Sequence, residues 1–297
     1  MATLPELAVL TATPSLPIYQ EILQAGKEIG IPIRIWDANL MVACLPEGVF
    51  LEGKPLDLAS LALFLPRVGS FRPESTLSLV ESLAQMGVLP FNQPWSIRLA
   101  RDHFVTALAL HQAGVPFPPT LVGSDPETLA QAARRFRLPV VVKTRRSRQG
   151  VGVIRCGSWP ELEAVLDSLW RLGEEVVVQP FCFPGGLSFR VLVLEGKVLG
   201  VTRHTAKPGE FRSNAARGAQ VQALGSFPEA EELGKAAALA CGLAFCGVDL
   251  WPDGDRLVVG EVNPTPGWKH FSKATGVPVA RTLLEAMARR AAAIAAL

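Results

Sequence analysis

A chain of 297 residues with 49% apolar side chains can bury a sizeable core, which excludes global disorder. Its 29 basic and 27 acidic side chains leave a net charge of +2, which excludes the strong basic excess of a nucleic-acid-binding surface.

In chain order, residues 7–12 read as a strand, 18–29 as a helix stopped near Gly30, and 33–36 as a second strand. That strand–helix–strand opening predicts a parallel sheet. A short apolar run at 61–65 leads into Pro66-Arg67-Val68-Gly69-Ser70. Loops at the carboxyl ends of parallel strands bind ligands, so Arg67 is either a substrate contact or a surface arginine. A helix over 73–86 and a strand over 88–91 follow, and Asn92-Gln93-Pro94 closes a first lobe. Residues 96–112 have the spacing of one amphipathic helix, closed by Gly114 and Pro116. A proline-rich linker, 116–119, enters a second lobe with a helix at 126–136 and strands at 139–144, 153–156 and 176–179. Between the last two strands, Ser158 and Glu161 have capping-box spacing. Pro180-Phe181-Cys182-Phe183-Pro184 reads as a stiff hinge. Beyond it come strands at 189–194 and 198–203, a polar loop at 205–219, a helix at 229–241, two more strands and a helix at 279–295. Three domains are therefore expected: 1–94, 95–184 and 185–297.

Five cysteines without a CxxC pair read as reduced, mostly core thiols of a cytoplasmic protein. Four histidines show no metal spacing. No basic, then apolar, leader opens the chain and no run approaches 18 apolar residues, so neither a signal peptide nor a membrane span is expected.

Val259-Gly260-Glu261-Val262-Asn263-Pro264 is the most informative stretch. Residues two apart on a strand share a face, so the Glu261 carboxylate and the Asn263 amide emerge side by side. Asp249, on the preceding strand, reaches the same space if the two strands form a hairpin around 252–255. Hard oxygen ligands suit Mg²⁺ held jointly with phosphates; singly, each residue reads equally well as a strand or turn cap. Lys143 ends the run Val140-Val141-Val142 as a snorkelling edge residue or a point charge for phosphate. The loop 145–152 carries Gly150 and Gly152, whose backbones can approach an anion. It matches neither the P-loop nor the Rossmann fingerprint. Arg203, Arg212 and Arg217 crowd a loop of small residues, which points to an anionic ligand or to a solvated charged loop. His103 and His111 read as core or surface residues.

Several segments together carry a family resemblance. They are Arg101-Asp102, Lys143, Gln149-Gly150-Val151-Gly152, Gln179, Arg190, Arg212-Ser213-Asn214, Arg217-Gly218, Gly247-Val248-Asp249 and Glu261-Val262-Asn263. With Pro66-Arg67-Val68-Gly69 and 273–277, their order resembles the RimK-type, alpha-L-glutamate-ligase-like ATP-grasp ligases over about 60–280. The resemblance implies an α/β fold of three lobes, an N-terminal parallel-sheet lobe and two lobes gripping ATP. It implies a cytoplasmic enzyme that joins a carboxylate to an amine through an acyl phosphate, with ATP and Mg²⁺ or Mn²⁺ as cofactors. L-glutamate would be the added amino acid, and the acceptor carboxylate would sit on a small molecule, peptide or protein. A homo-oligomer is admitted; nucleic acid and membrane are not partners.

Carried over by position, Lys143 holds phosphates, Gln149, Gly150 and Gly152 belong to a closing loop, and Pro180-Phe181 forms the adenine hinge. Gln179, Ser188, Arg190, Arg212, Ser213 and Asn214 line the nucleotide and substrate site. Asp249, Glu261 and Asn263 hold the metal; Arg203, Arg212 and Arg217 are the candidate catalytic arginines, with Arg203 or Arg212 stabilising a tetrahedral oxyanion. Three positions depart from the family's pattern: His103 replaces a phosphate lysine, Pro180 a hinge glutamate, and Ser188 a ribose aspartate. Two alternatives stand beside this reading. One is a grasp ligase with another acceptor, such as a lysine-pathway carrier, a cofactor tail or a peptide. The other is a non-catalytic ATP-binding module, which His103 and Ser188 favour and the intact metal residues oppose.

Overall fold

The computed structural model describes residues 6–59, 61–146, 152–182 and 184–295. They form two compact units: Met1–Ile97, Leu243–Phe245 and Thr265–Leu297 in the first, Arg98–Gly242 and Cys246–Pro264 in the second.

In the first unit, strand β1 (Glu6–Thr11) is buried from its second residue onward, as a parallel strand covered on both faces must be. Helix α1 (Pro17–Ile29) starts on a proline and stops at Gly30, whose φ of 73° suits a residue without a Cβ. Strand β2 (Ile33–Asp37) lies parallel to β1. A small antiparallel sheet of β3 (Met41–Cys44), β4 (Gly48–Leu51) and β5 (Lys54–Pro55) follows. Sequence reading does not detect it, because strands this short carry too little alternation. Strand β6 (Leu61–Arg67), helix α2 (Pro73–Gln85) and strand β7 (Leu89–Pro90) complete a parallel sheet in the order β2-β1-β6-β7. The strand order reverses between β1 and β6, where Thr11 and Arg67 are register partners at the carboxyl ends. Leu10, Phe64, Leu77, Leu83 and Ile97 belong to the core of this unit. Buried Asn92 fastens the exit of β7: its Nδ2 donates to Phe245 O at 2.7 Å, and its Oδ1 accepts from Ala244 N and Phe245 N at 2.9 and 3.0 Å.

The single helix expected over 96–112 is two, α3 (Pro94–Ala100) and α4 (His103–Gln112). Asp102 breaks it: extended at φ −109°, it caps α4 through its carboxylate. In the second unit, α5 (Pro126–Ala133) and α6 (Trp159–Arg171) pack on an antiparallel sheet of β8 (Val140–Thr144), β9 (Val153–Cys156) and β10 (Val176–Pro180), ordered β10-β8-β9. Ser158 caps α6 as its spacing predicts, accepting from Glu161 N at 3.3 Å.

A second sheet, ordered β13-β12-β11-β14-β15, contains β11 (Leu187–Leu194), β12 (Lys197–Thr205), β13 (Gln220–Leu224), β14 (Phe245–Asp253) and β15 (Arg256–Asn263), with α7 (Pro228–Ala240) against it. Strand β13 is absent from the sequence reading because it is a mostly exposed edge with little apolar signal. Helices α8 (Lys269–Thr275) and α9 (Val279–Ala295) return the chain to the first unit, where α9 packs against α1 and β6. Among the described residues, no helix is long and apolar enough to cross a membrane.

Candidate active site

The second unit contains an open cleft of about 110 Å³ whose walls come from both of its sheets. On the first sheet, antiparallel pairing sets Val141 of β8 opposite Gln179 of β10, and both side chains face the cleft. Lys143 lies two residues further along β8 on the same face. It is buried, and its Nζ donates to Gln179 Oε1 at 2.6 Å. Gln179 Nε2 donates to Thr120 Oγ1 at 2.8 Å, and the Thr120 hydroxyl donates to Pro118 O, so the amide can present only its oxygen to the lysine. Burial pushes the Lys143 pKa down from the ordinary 10.5 to about 8, against the opposing pull of Glu261.

Trp251 of β14 lies beneath this ammonium, with Nζ 4.3 Å from its ring centroid. The neighbouring strand makes room for the indole. A Cβ on Gly260 would stand 2.3 Å from the Trp251 ring, so only glycine fits there. The β14–β15 ladder also shifts register between Asp249 and Leu250, close to this contact.

The hairpin expected around 252–255 is present, and it pairs Asp249 with Glu261 and Gly247 with Asn263. Asp249 and Glu261 line the cleft; Asn263 stands one same-face position further along β15, outside the lining. Arg190 of β11 grips Asp249 with two bonds, Nε to Oδ1 at 2.7 Å and Nη2 to Oδ2 at 2.6 Å. Burial opposes the Arg190 charge, but Asp249 outweighs it, and with Glu261 adding to the pull the guanidinium pKa rises above its usual range. The donor set of two carboxylates and an amide oxygen fits a hard cation such as Mg²⁺. Among the described residues no group of three or more His, Cys, Asp or Glu could hold a metal alone. A cation held by this set would take its remaining ligands from phosphate oxygens and water.

The floor comes from β11 and its partner β12. Ser188 pairs with His204 and Arg190 with Thr202, so these four share one face. Ser213 donates to Ser188 Oγ at 2.6 Å, and the His204 Nε2–Thr202 Oγ1 contact is 3.0 Å. Arg203 alternates to the opposite face with Phe189, where it bonds Gln222 of β13. The structure therefore does not bring Arg203 to the cleft. The loop 206–219 is pinned at its base, because Gly186 N donates to Phe211 O at 2.8 Å and Ala206 N to Gly186 O at 2.7 Å. From this loop Arg212, Ser213 and Asn214 reach the lining, whereas exposed Arg217 ends the single turn Ala215–Arg217 outside it. Glu210 holds Arg212 with Oε1 and Oε2 at 2.9 and 2.8 Å, and these bonds lower the Glu210 pKa to about 2.

Pro180 and Phe181 line the cleft as the hinge reading requires, but the Phe181 N–H is taken by Pro139 O at 3.1 Å. Pro180 has no N–H. The next backbone donor in the chain is Cys182, whose residue also lines the cleft. Of the glycine loop, Gln149 and Gly150 lie outside the described residues. Gly152 closes the β8–β9 connection: its O accepts from Thr144 N at 3.0 Å, and a Cβ there would meet Thr144 Oγ1 at 2.5 Å. His103, at the start of α4, also lines the cleft. Trp251 and His204 are cleft residues that sequence reasoning missed. Gly260 was the available signal for the first, since a glycine inside an apolar strand marks a close approach. Alternation from Ser188 and Arg190 was no help for His204, because strand register is not readable from one sequence.

A sequence profile described as the RimK-like ATP-grasp domain matches residues 100–287. A probable alpha-L-glutamate ligase of Pseudomonas fluorescens (strain Pf0-1) is 29% identical over 285 residues, spanning 94% of each chain. A counterpart of the same description in Stutzerimonas stutzeri (strain A1501) is 28% identical with the same coverage. Among solved structures, D-cycloserine synthetase DcsG superposes with a TM-score of 0.75 at 21% identity, over 96% of this chain and 99% of that one. The ATP-grasp ligase PsnB, bound to a precursor variant, Mg and ADP, superposes with a TM-score of 0.74 at 19% identity, over 97% and 99%.

Proposed function

Since this chain belongs to the RimK-like ATP-grasp family, whose members are enzymes that form carbon–nitrogen bonds, we propose that it adds L-glutamate to an acceptor carboxylate through an acyl phosphate. The observation that carries this reading is the arrangement in one cleft of a buried phosphate-type lysine, Lys143, and two register-paired carboxylates, Asp249 and Glu261. This reading assigns activation to the substrate carboxylate itself and requires no covalent nucleophile of the protein.

The roles follow from position. Lys143 offers a desolvated positive charge to the terminal phosphates, oriented by Gln179 and backed by Trp251. Pro180 O and Cys182 N present one acceptor and one donor at the hinge, as an adenine edge requires. Asp249, Glu261 and Asn263 would hold Mg²⁺ or Mn²⁺, which when bound neutralises phosphate charge. Arg190 fixes the Asp249 carboxylate. A substrate carboxylate oxygen attacks the γ-phosphorus and ADP departs; the glutamate amine then attacks the activated carbonyl carbon, loses a proton, and phosphate departs. Arg212, the one of the three candidate arginines that lines the cleft, would stabilise the oxyanion of that second step. The three-lobe division at 94 and 184 is retained as a functional proposal, with the nucleotide between the second and third lobes.

Acceptor carboxylate labelled with oxygen-18 tests the route. One labelled oxygen should leave in inorganic phosphate, with ADP as the nucleotide product. Label in AMP would mean an adenylating ligase. Unlabelled phosphate with no ligated product would mean plain ATP hydrolysis.

A further inference from the structure

In the first unit, the positive charge of Arg67 is buried without a negative partner among the described residues. Its side chain is 5% exposed at the carboxyl end of β6, where the parallel sheet reverses its strand order. Nη1 donates to Pro266 O at 2.9 Å, and the guanidinium lies 5.0 Å from the centroid of the Trp268 ring. Tyr19 lies close enough to influence the guanidinium electrostatically, and Nε has no hydrogen-bond acceptor. No carboxylate among the described residues pairs with it. The nearby acid Glu21 accepts from Trp268 Nε1 at 3.1 Å instead. Burial lowers the Arg67 pKa, and an arginine stays protonated regardless. A buried ion with an orphaned donor is a costly arrangement unless something of opposite charge completes it.

A second observation lies beside it. Tyr19 sits in the first turn of α1, and its hydroxyl is 2.6 Å from Thr11 Oγ1, the register partner position of Arg67. The N-cap of α1, Leu16, makes no side-chain cap, and the first turn contains no acidic residue. Pro17 has no N–H and the Tyr19 N–H bonds Leu16 O at 3.0 Å, so the first turn of this 13-residue helix offers the Ile18 N–H beside the guanidinium. The reversal point of an open parallel sheet is also where such sheets take ligands.

We propose that Arg67, Tyr19 and the amino-terminal turn of α1 form a binding site for a single carboxylate of a substrate. The site offers one formal charge and neutral hydroxyls, which balances a carboxylate and leaves a phosphate dianion undercompensated. A planar guanidinium also matches a carboxylate through two parallel bonds. The inference rests on the reading of the chain as a carboxylate–amine ligase, because that reaction supplies a carboxylate-bearing substrate.

The test titrates glutarate, L-glutamate and inorganic phosphate separately into the full chain by calorimetry, with Mg·ATP as a fourth titrant. Wild type, Arg67→Lys and Tyr19→Phe are compared, each with its melting temperature. Wild type should bind at least one carboxylate and prefer it to phosphate. Arg67→Lys should weaken that binding about tenfold or more through loss of the two-bond contact, and leave Mg·ATP binding within about twofold. If Arg67→Lys does not fold, Tyr19→Phe decides, with an expected loss of about three- to tenfold from one hydroxyl. Folded variants that bind the carboxylate as wild type does would overturn the site. So would wild type that binds Mg·ATP but neither carboxylate, or that prefers phosphate. Failure of wild type to bind Mg·ATP would instead overturn the ligase reading, and the inference with it.

Discussion

Raising the pH from 7 to 9 should weaken nucleotide binding through one group, Lys143. Its pKa of about 8 means that it is mostly ammonium at pH 7 and mostly neutral amine at pH 9. If only the ammonium attracts the triphosphate, the apparent dissociation constant scales as one plus the ratio of neutral to charged lysine. That factor is about two at pH 8 and about eleven at pH 9, the latter worth about 1.4 kcal/mol. The bound phosphates should return the pKa toward 10.5, so binding at pH 8 should take up about half a proton. The unliganded protein should respond with the opposite sign. Its folded-state value lies below the ordinary 10.5, so the unfolded chain holds the extra proton between about pH 8 and 10.5, and stability rises with pH across that window. Calorimetry of Mg·ADP binding in buffers of different ionisation enthalpy, from pH 7 to 9.5, measures both affinity and proton uptake. Lys143→Met should bind more weakly at pH 7 and lose most of the slope. A flat wild-type profile, or an equal slope in Lys143→Met, would refute the placement of this titration on Lys143.

Three further outcomes are expected. Glu261→Gln keeps the shape of its side chain and removes the charge, and should lower turnover about 10²-fold or more at limiting Mg²⁺; near-normal steady-state rates would remove Glu261 from the metal set. Gly260→Ala drives a methyl into the Trp251 ring and should cost about 1–3 kcal/mol in denaturant unfolding, with weakened nucleotide binding because Trp251 underlies Lys143; an unchanged midpoint and unchanged affinity would show that the indole moves aside freely. In a competition among glutamate, glutamine and lysine, glutamate should dominate the ligated product, since paired guanidinium contacts favour a second carboxylate; a preference for lysine or a neutral amino acid would favour a different acceptor or donor class.

The sequence alone determined the elements whose signals are local. The all-buried run of β1, the glycine stop of α1, the serine cap of α6 and the β14–β15 hairpin are each set by residues within a few positions of one another. It also determined the chemistry offered: Lys143 at a strand end, and Glu261 and Asn263 on one strand face. Tertiary structure decided which of these groups meet. Arg203 and His204 are adjacent in the chain, yet alternation on β12 sends one to Gln222 and the other to the cleft. Family resemblance marks Arg190 as a site residue, but its local sequence does not show what it grips, and it becomes the clasp of Asp249 only through the neighbouring places of β11 and β14 in one sheet. The depressed pKa of Lys143 and the unpaired charge of Arg67 likewise exist only in the folded chain. Both follow from desolvation, a property of what surrounds a side chain in space rather than of its neighbours in sequence.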